Sequence, residues 1–169
     1  MAKVRVKEAE REVESKNTYE MSMFIRKKFI ELQMTGQLVI HENDREWEQS
    51  RQGRIKWYCN TVLQGANYPL REWNVFKHDI RKHSGKHRHQ GGFVIFCLEG
   101  KGYSVIEGVR YDWEGGDLML LPLKSGGIEH QHFNLDPGKP CKWIAFNYLP
   151  HKDLLASETT QLEVSPDYL

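Results

Sequence analysis

The sequence predicts an all-β fold, an antiparallel sandwich or barrel, with a helical extension at its N-terminal end. From Trp57 onward, short runs rich in β-branched and aromatic residues follow one another without a helical period between them. Glycine-rich turn signals such as Gly91-Gly92, and the turn sequence Asp136-Pro137-Gly138, separate these runs. Strands at this spacing with no helices between them are typical of antiparallel all-β domains.

The N-terminal part of the chain has a different pattern. Apolar residues recur at helical spacing, which predicts an amphipathic helix over Thr18–Met34 with Gly36 just past its end. Asn43 or Asp44 is a candidate cap for a second short helix that continues to Arg51. The apolar face of the first helix is larger than one small barrel needs, so we expect a homodimer.

The remaining pattern predicts one barrel and a C-terminal tail. We expect an N-terminal tail and helical extension over residues 1–56, a single barrel over 57–150, and a turn and tail over 151–169, with a helical turn at 151–157. The sequence has no internal repeat that would indicate a second barrel. The predicted strands are Trp73–Ile80, Lys86–Gln90, Phe93–Leu98, Tyr103–Glu107, Val109–Trp113, Asp117–Leu121, Ile128–Phe133 and Lys142–Leu149.

Composition excludes several classes of protein. Lys and Arg number 24 against 23 Asp and Glu, for a net charge of +1, so the chain lacks the basic field of nucleic-acid-binding proteins. Neither a signal peptide nor an apolar run of membrane-spanning length is present, and no membrane partner is expected. The three cysteines, Cys59, Cys97 and Cys141, are too few and too scattered for a disulfide framework. We therefore expect a cytoplasmic protein.

Two His-x-His pairs carry the strongest chemical signal, His87 with His89 and His130 with His132. Side chains on a strand alternate between its two faces, so both imidazoles of a pair point the same way. Two imidazoles from one strand and a third from another form a facial ligand set that leaves metal positions open. We predict that His87, His89 and His130 bind a metal ion. His132 is either a fourth nitrogen near the site or an acid/base group beside it.

The first pair lies in a segment that resembles the first motif of the cupin superfamily. That motif contains His-x-His, three or four residues, Glu, six residues and Gly. The chain has His87 and His89, then three residues, then Phe93, then six residues, then Gly100. A phenylalanine therefore occupies the position of the motif's carboxylate, and Arg81 stands at the position of its leading glycine.

The second motif of the same superfamily runs Gly, five residues, Pro-x-Gly-x-x-His, three residues, Asn. The chain has Gly116, then five residues and Pro122, then Gly127, His130 and Asn134. Three extra residues lie between the proline and the glycine. The resemblance covers about residues 70–150 and implies a double-stranded β-helix, the cupin or jelly-roll barrel.

The chain also resembles gentisate 1,2-dioxygenase and related ring-cleaving cupins. They share His-Arg-His followed by Phe-x-Leu-Glu-Gly, and His-x-His-x-Asn in the second motif. In that family the first pair and the first histidine of the second pair hold iron, which implies the same role for His87, His89 and His130. Members of that family usually carry two cupin domains in a longer chain.

Other residues are predicted around the metal. Gln90 follows the first pair and is a candidate catalytic group, or it hydrogen-bonds a turn. Phe93, Tyr103 and Trp143 are candidates for the cavity wall, which would suit an aromatic substrate. Arg81 is a candidate for binding a substrate carboxylate.

These observations favour an Fe(II)-dependent dioxygenase that acts on a small anionic, hydroxylated aromatic substrate and dioxygen. Three neutral imidazoles leave a divalent ion with its full charge, which favours a chelating anionic substrate. Two alternatives stay open at this point. One is a lyase, decarboxylase or isomerase that uses Mn, Ni or Zn as a Lewis acid, and the other is a non-catalytic cupin that binds a small molecule.

Overall fold

The computed structural model describes residues 17–63 and 65–168, in two compact units. The smaller unit contains helix α1 (Thr18–Thr35) and residues Gly65–Leu70. The Asn17 side chain begins the helix by accepting hydrogen bonds from the backbone N–H groups of Tyr19 and Glu20. The Gly36 N–H ends it by donating to the Leu32 carbonyl at 2.9 Å. The helix predicted over Thr18–Met34 is thus confirmed.

No residue of α1 is buried. Its exposed apolar side chains include Met23, Phe29 and Met34. The homodimer expected from this face stays a prediction. No helix among residues 17–63 and 65–168 is long and apolar enough to span a membrane.

The larger unit is built from eleven described strands and one short helix, and every strand pairing is antiparallel. The elements are β1 (Glu48–Ser50), β2 (Gly53–Cys59), β3 (Trp73–Asp79), β4 (Lys86–His89), β5 (Phe93–Glu99), β6 (Lys101–Ile106), β7 (Val109–Glu114), β8 (Leu118–Leu121), β9 (Ile128–Asn134), β10 (Lys142–Tyr148), α2 (Leu149–Leu154) and β11 (Thr160–Glu163). One sheet has the order β1-β2-β3-β10-β5-β8, and the other has the order β11-β4-β9-β6-β7.

Alternating side chains of these strands form the core. On β5, for example, Ile95 and Cys97 are buried whereas Val94, Phe96 and Leu98 are exposed. The buried cluster is completed by side chains of five other strands and of the loops beside them. It consists of Ile55, Phe76, Ile80, Ile95, Cys97, Trp113, Leu121, Cys141, Trp143 and Ala145.

The eight predicted strands are all present, each within two residues of its expected ends. The predicted all-β jelly-roll fold with a helix on its N-terminal side is therefore confirmed. The second predicted helix, which was to continue to Arg51, is wrong. Only a 3₁₀ turn, Glu42–Asp44, forms there, and Glu48–Ser50 instead pairs with β2. Cross-strand pairing outweighs local helical preference in a segment this short.

The sheets also extend beyond the barrel limits of 57–150 that the sequence suggests. Strand β2 begins at Gly53, and β11 lies within the segment expected to be a C-terminal tail. Strand β11 pairs with β4, with Gln161 opposite His87. A four-residue edge strand has too short a pattern to be recognised without its partner. The helical turn predicted at 151–157 forms slightly earlier, as α2.

Candidate metal centre

Strands β4 and β9 carry the two histidine pairs and lie side by side. His87 is opposite His130, Arg88 is opposite Glu129, and His89 is opposite Ile128. Because side chains alternate along each strand, His87, His89 and His130 all point into the barrel. Arg88 and Glu129 point outward and form an ion pair at 2.9 Å.

The three inward histidines form a compact cluster, which we call the histidine trio. One ring nitrogen from each lies within 4.8 Å of the others, and no other group of three or more His, Cys, Asp or Glu side chains in the described residues has this geometry. All three are buried, with exposed fractions of 7%, 5% and 2%. Ring centroids are 4.2 Å apart for His87 and His130, and 4.7 Å for His89 and His130.

Backbone groups orient the rings of the trio. His87 Nδ1 lies 3.4 Å from the Gly85 carbonyl oxygen, and His130 Nδ1 lies 3.1 Å from that of Ile128. Each of these rings can therefore protonate Nδ1 and offer Nε2 to a metal ion. His89 differs, because its Nδ1 accepts a hydrogen bond from the Gly91 N–H at 3.0 Å. Neutral His89 then carries its proton on Nε2, so ligation by the neutral ring through Nε2 requires that proton to move to Nδ1 and the hydrogen bond from Gly91 to break.

Burial makes the trio suitable for metal binding. Burial, together with the smaller effect of the neighbouring histidines, lowers the pKa of His87, His89 and His130 to about 3. The rings are therefore neutral at ordinary pH, the protonation state that binds metals. Neutral imidazole is a good ligand for divalent iron, nickel, copper and zinc. The donor set thus fits a divalent metal ion.

His132 points into the same barrel but lies outside the trio. Its Nδ1 is 2.6 Å from Ser104 Oγ, which also accepts a hydrogen bond from Trp113 Nε1–H at 2.9 Å. The Ser104 hydroxyl proton is therefore free to be donated to His132. The ring centroid of His132 is 5.5 Å from that of His130. Burial lowers the pKa of His132 well below its ordinary value. His132 was predicted to be either a fourth nitrogen near the site or an acid/base group beside it, and this geometry favours the second of these roles.

The trio forms part of the wall of a cavity of about 310 Å³. Phe93 and Trp143, both predicted at the substrate site, line this cavity, and so does His132. Phe93 packs on His89 with 4.7 Å between ring centroids. Further apolar lining comes from Ile55, Trp57, Phe76, Ile95, Leu121 and Ala145.

Three predicted site residues do not line this cavity. Arg81 is exposed on the outer surface, because it follows the end of β3. Tyr103 lies on the opposite face of its strand from Ser104, and stacks on Phe133 with 4.6 Å between centroids. Gln90 lies beyond the end of β4, where its backbone N–H donates to Ser157 Oγ.

Sequence reasoning missed several residues of the cavity wall. Arg51 and Lys152 supply positive charge, and His78 and Asn74 supply polar atoms from β3. His78 shares the inward face with Phe76, so strand alternation could have indicated it. Lys152 lies in the helical turn predicted at 151–157, where nothing in the sequence indicated that it would reach the cavity.

Comparisons with known proteins agree with this architecture. Residues 79–147 match the family model described as a cupin domain. No curated protein sequence matches the chain. A uridine-bound variant of the Streptomyces protein PAC13 is similar in fold, with a TM-score of 0.55 and 8% identity over 79% of this chain and 96% of that one.

Two further solved structures are similar. One is a variant of salicylate 1,2-dioxygenase from Pseudoaminobacter salicylatoxidans in complex with gentisate, with a TM-score of 0.50 and 19% identity over 63% of this chain. The match covers only 28% of that longer chain. The other is a cupin-like protein from Thermotoga maritima, with a TM-score of 0.49 and 17% identity over 72% of this chain and 92% of that one. Residues 79–147, the part of the barrel that carries the histidine trio, thus match a cupin domain.

Proposed function

We propose that this protein is a metal-dependent cupin in which His87, His89 and His130 hold the ion, and that with Fe(II) it is a dioxygenase. The observation that carries the proposal is the trio itself, three neutral ring nitrogens within 4.8 Å on the wall of a cavity. Such a set occupies one face of an ion and leaves the other positions for substrate.

The lack of a carboxylate at the centre supports this choice. Among the described residues, no Asp or Glu lines the cavity. Phe93 occupies the position at which the cupin motif has its carboxylate, and its ring packs on His89. Three neutral ligands leave a divalent ion with its full charge, which favours a chelating anionic substrate. A bound ferrous ion would supply the redox chemistry by which such a substrate reacts with dioxygen.

The other cavity residues suit a small aromatic acid. Arg51 and Lys152 are the only ionised side chains among the described residues of the lining, and both are cationic. They would attract an anion, and the aromatic rings of Trp57, Phe76 and Phe93 offer flat apolar surface to its carbon skeleton. Because His132 Nδ1 is engaged by Ser104, Nε2 is the His132 atom that would exchange a proton with substrate.

Metal analysis of protein purified without oxygen is the first test. We expect about one iron per chain in the wild type, and its loss in His130→Gln. His132→Gln is the matched control, because it makes the same change on the same strand outside the trio and should keep the iron. Oxygen uptake with gentisate and salicylate then tests turnover, since a salicylate 1,2-dioxygenase that binds gentisate has a similar fold.

Other outcomes discriminate between the alternatives. Manganese, nickel or zinc at the same level, with turnover that needs no oxygen, would contradict the dioxygenase and favour Lewis-acid chemistry by a lyase, decarboxylase or isomerase. Failure of Fe, Mn, Ni and Zn to bind under any loading condition would contradict the metal centre and favour a cupin that only binds a small molecule.

A further inference from the structure

One cation of the cavity wall lies close to the histidine trio. Lys152 on α2 is half-buried and lines the same cavity as His87, His89 and His130. Burial is the largest cause of the lowered pKa of His89, the charge of His87 is the second, and the charge of Lys152 is the third. The Lys152 ammonium is therefore within electrostatic range of the trio.

The segment that carries Lys152 is attached to the barrel on both sides. Helix α2 continues directly from β10, and the Leu149 N–H donates to the Glu72 carbonyl at 2.8 Å. Beyond the helix, Ser157 Oγ accepts a hydrogen bond from the Gln90 N–H at 3.4 Å, and β11 pairs with β4. The fold itself thus holds Lys152 near the end of β4, the strand that carries two of the trio.

No acidic group of the described structure compensates the charge of Lys152. No Asp or Glu among the residues that the structure describes lines the cavity or forms an ion pair with Lys152. Arg51, the other cation of the lining, lies in the turn between β1 and β2 and is exposed, so solvent screens its charge. Lys152 is therefore the half-buried cation that can meet an anion inside the cavity.

A divalent ion at the trio would add a second positive charge that faces the same space. Three neutral imidazoles leave the ion its full charge, so the ion and the Lys152 ammonium repel each other. A carboxylate between them is attracted by both and relieves this repulsion. It can also accept a charge-assisted hydrogen bond from the ammonium, which is stronger than one between neutral groups.

We propose that Lys152 is a substrate-binding residue, and that its Nζ donates to the carboxylate by which an acid binds the metal ion. One carboxylate oxygen meets the ion, and the other accepts the hydrogen bond from Lys152. The proposal rests on the proposed function, because it takes the metal ion from there. It makes the cavity selective for acids, since a neutral ligand leaves the two cations facing each other without compensation.

Titration calorimetry on zinc-loaded protein tests this role with 2-hydroxybenzoate as the probe, because Zn(II) does not react with dioxygen. Lys152→Met keeps a side chain of similar length but removes the charge and the donors. The affinity for 2-hydroxybenzoate should fall about 10- to 100-fold, the effect of losing a hydrogen bond to a charged group. Lys152→Arg keeps the charge and should recover most of the loss.

Zinc affinity in the absence of the acid is a readout that a purely structural role would not give. Lys152→Met should tighten zinc binding about two- to fivefold, because the ion no longer meets a neighbouring cation. Competition with a chelator of known affinity measures this change. The matched control is Lys82→Met, the same substitution at an exposed lysine outside the cavity lining. It should change neither affinity by more than about twofold.

Three results would overturn the proposal. The first is an unchanged affinity for the acid in Lys152→Met. The second is a loss of affinity for both the acid and zinc in that variant, and the third is a zinc-loaded wild type that does not bind the acid. Zinc content measured on the same samples separates these results from failure of the proposed function. A wild type that takes up no zinc contradicts the metal centre itself, and the role of Lys152 with it. Normal zinc loading together with any of the three results leaves the metal centre in place and removes only the role of Lys152.

Discussion

The two His-x-His pairs have the same sequence pattern but different environments. His87 and His89 on β4 both belong to the trio, whereas on β9 only His130 does. His132 is held instead by the hydroxyl of Ser104, which in turn accepts from Trp113. All four rings are buried and neutral, and all four point into the barrel.

Strand alternation therefore selects the face toward which a side chain points, but not the group that it meets there. His87 and His130 are directly opposite each other across β4 and β9, whereas His132 is opposite Ser104 on β6. The neighbouring strand therefore decides whether a histidine meets other imidazoles or a hydroxyl. One pair thus supplies two candidate ligands, and the other supplies one candidate ligand and one group beside it.

The largest expected effect tests that division directly. His130→Gln should weaken metal binding more than about 100-fold, because it removes one of the three ligands. Removing a group that only hydrogen-bonds a ligand usually weakens binding less, by about 10- to 100-fold. His132→Gln should weaken it less than about tenfold. Competition with a chelator of known affinity measures both. Equal losses in the two variants would contradict the division of roles.

Acid sensitivity should be shared by both pairs in the metal-free protein. Burial lowers the pKa of His87 and His130 from 6.5 to about 3, so between these values the unfolded chain takes up protons that the folded chain does not. The free energy of unfolding therefore falls as the pH falls from 6.5 toward 3, by up to about 1.4 kcal/mol per pH unit for each such histidine.

Urea unfolding of the metal-free protein at pH 7 and pH 5 measures this slope. In His130→Gln and in His132→Gln the free energy of unfolding should depend less steeply on pH. Each variant lacks one buried ring, so unfolding takes up about one proton fewer. A stability independent of pH in this range would contradict the neutral, buried state of the rings.

A smaller effect is expected at the group that distinguishes His132. Ser104→Ala leaves Trp113 Nε1–H and His132 Nδ1 without their shared partner, which should lower the free energy of unfolding by about 1–3 kcal/mol. The exposed Ser125→Ala is the control, with an expected change below about 0.5 kcal/mol. Urea unfolding compares the two. Similar values for both variants would show that the hydroxyl does not support the second pair.

The smallest effect is expected on the outer face of the same two strands. Arg88 and Glu129 pair at 2.9 Å, but their side chains are 49% and 26% exposed. A double-mutant cycle on Arg88→Ala and Glu129→Ala should give a coupling of about 0.2–1 kcal/mol that decreases in high salt. A larger, salt-independent coupling would show that the outer face also holds the two histidine-bearing strands together.

Much of the fold follows from local pattern. The eight strands between Trp73 and Tyr148 were predictable because each combines β-forming residues with flanking turn signals. The convergence of His87, His89 and His130 was predictable from period two and from the resemblance to the two cupin motifs. Phe93 and Trp143 at the cavity follow from the same alternation.

The remaining features depend on contacts between segments that are distant in the sequence. Strand β11 exists only because β4 offers it an edge, and it brings Gln161 to the cavity with Thr159 beside it. Arg81 was expected at the cavity but is exposed, while Arg51 and Lys152 supply the positive charge from segments that were predicted as helical and gave no sign of a site. Periodicity is a property of one strand, so sequence determined which side chains face inward. The pairing of strands distant in sequence determined what those side chains meet.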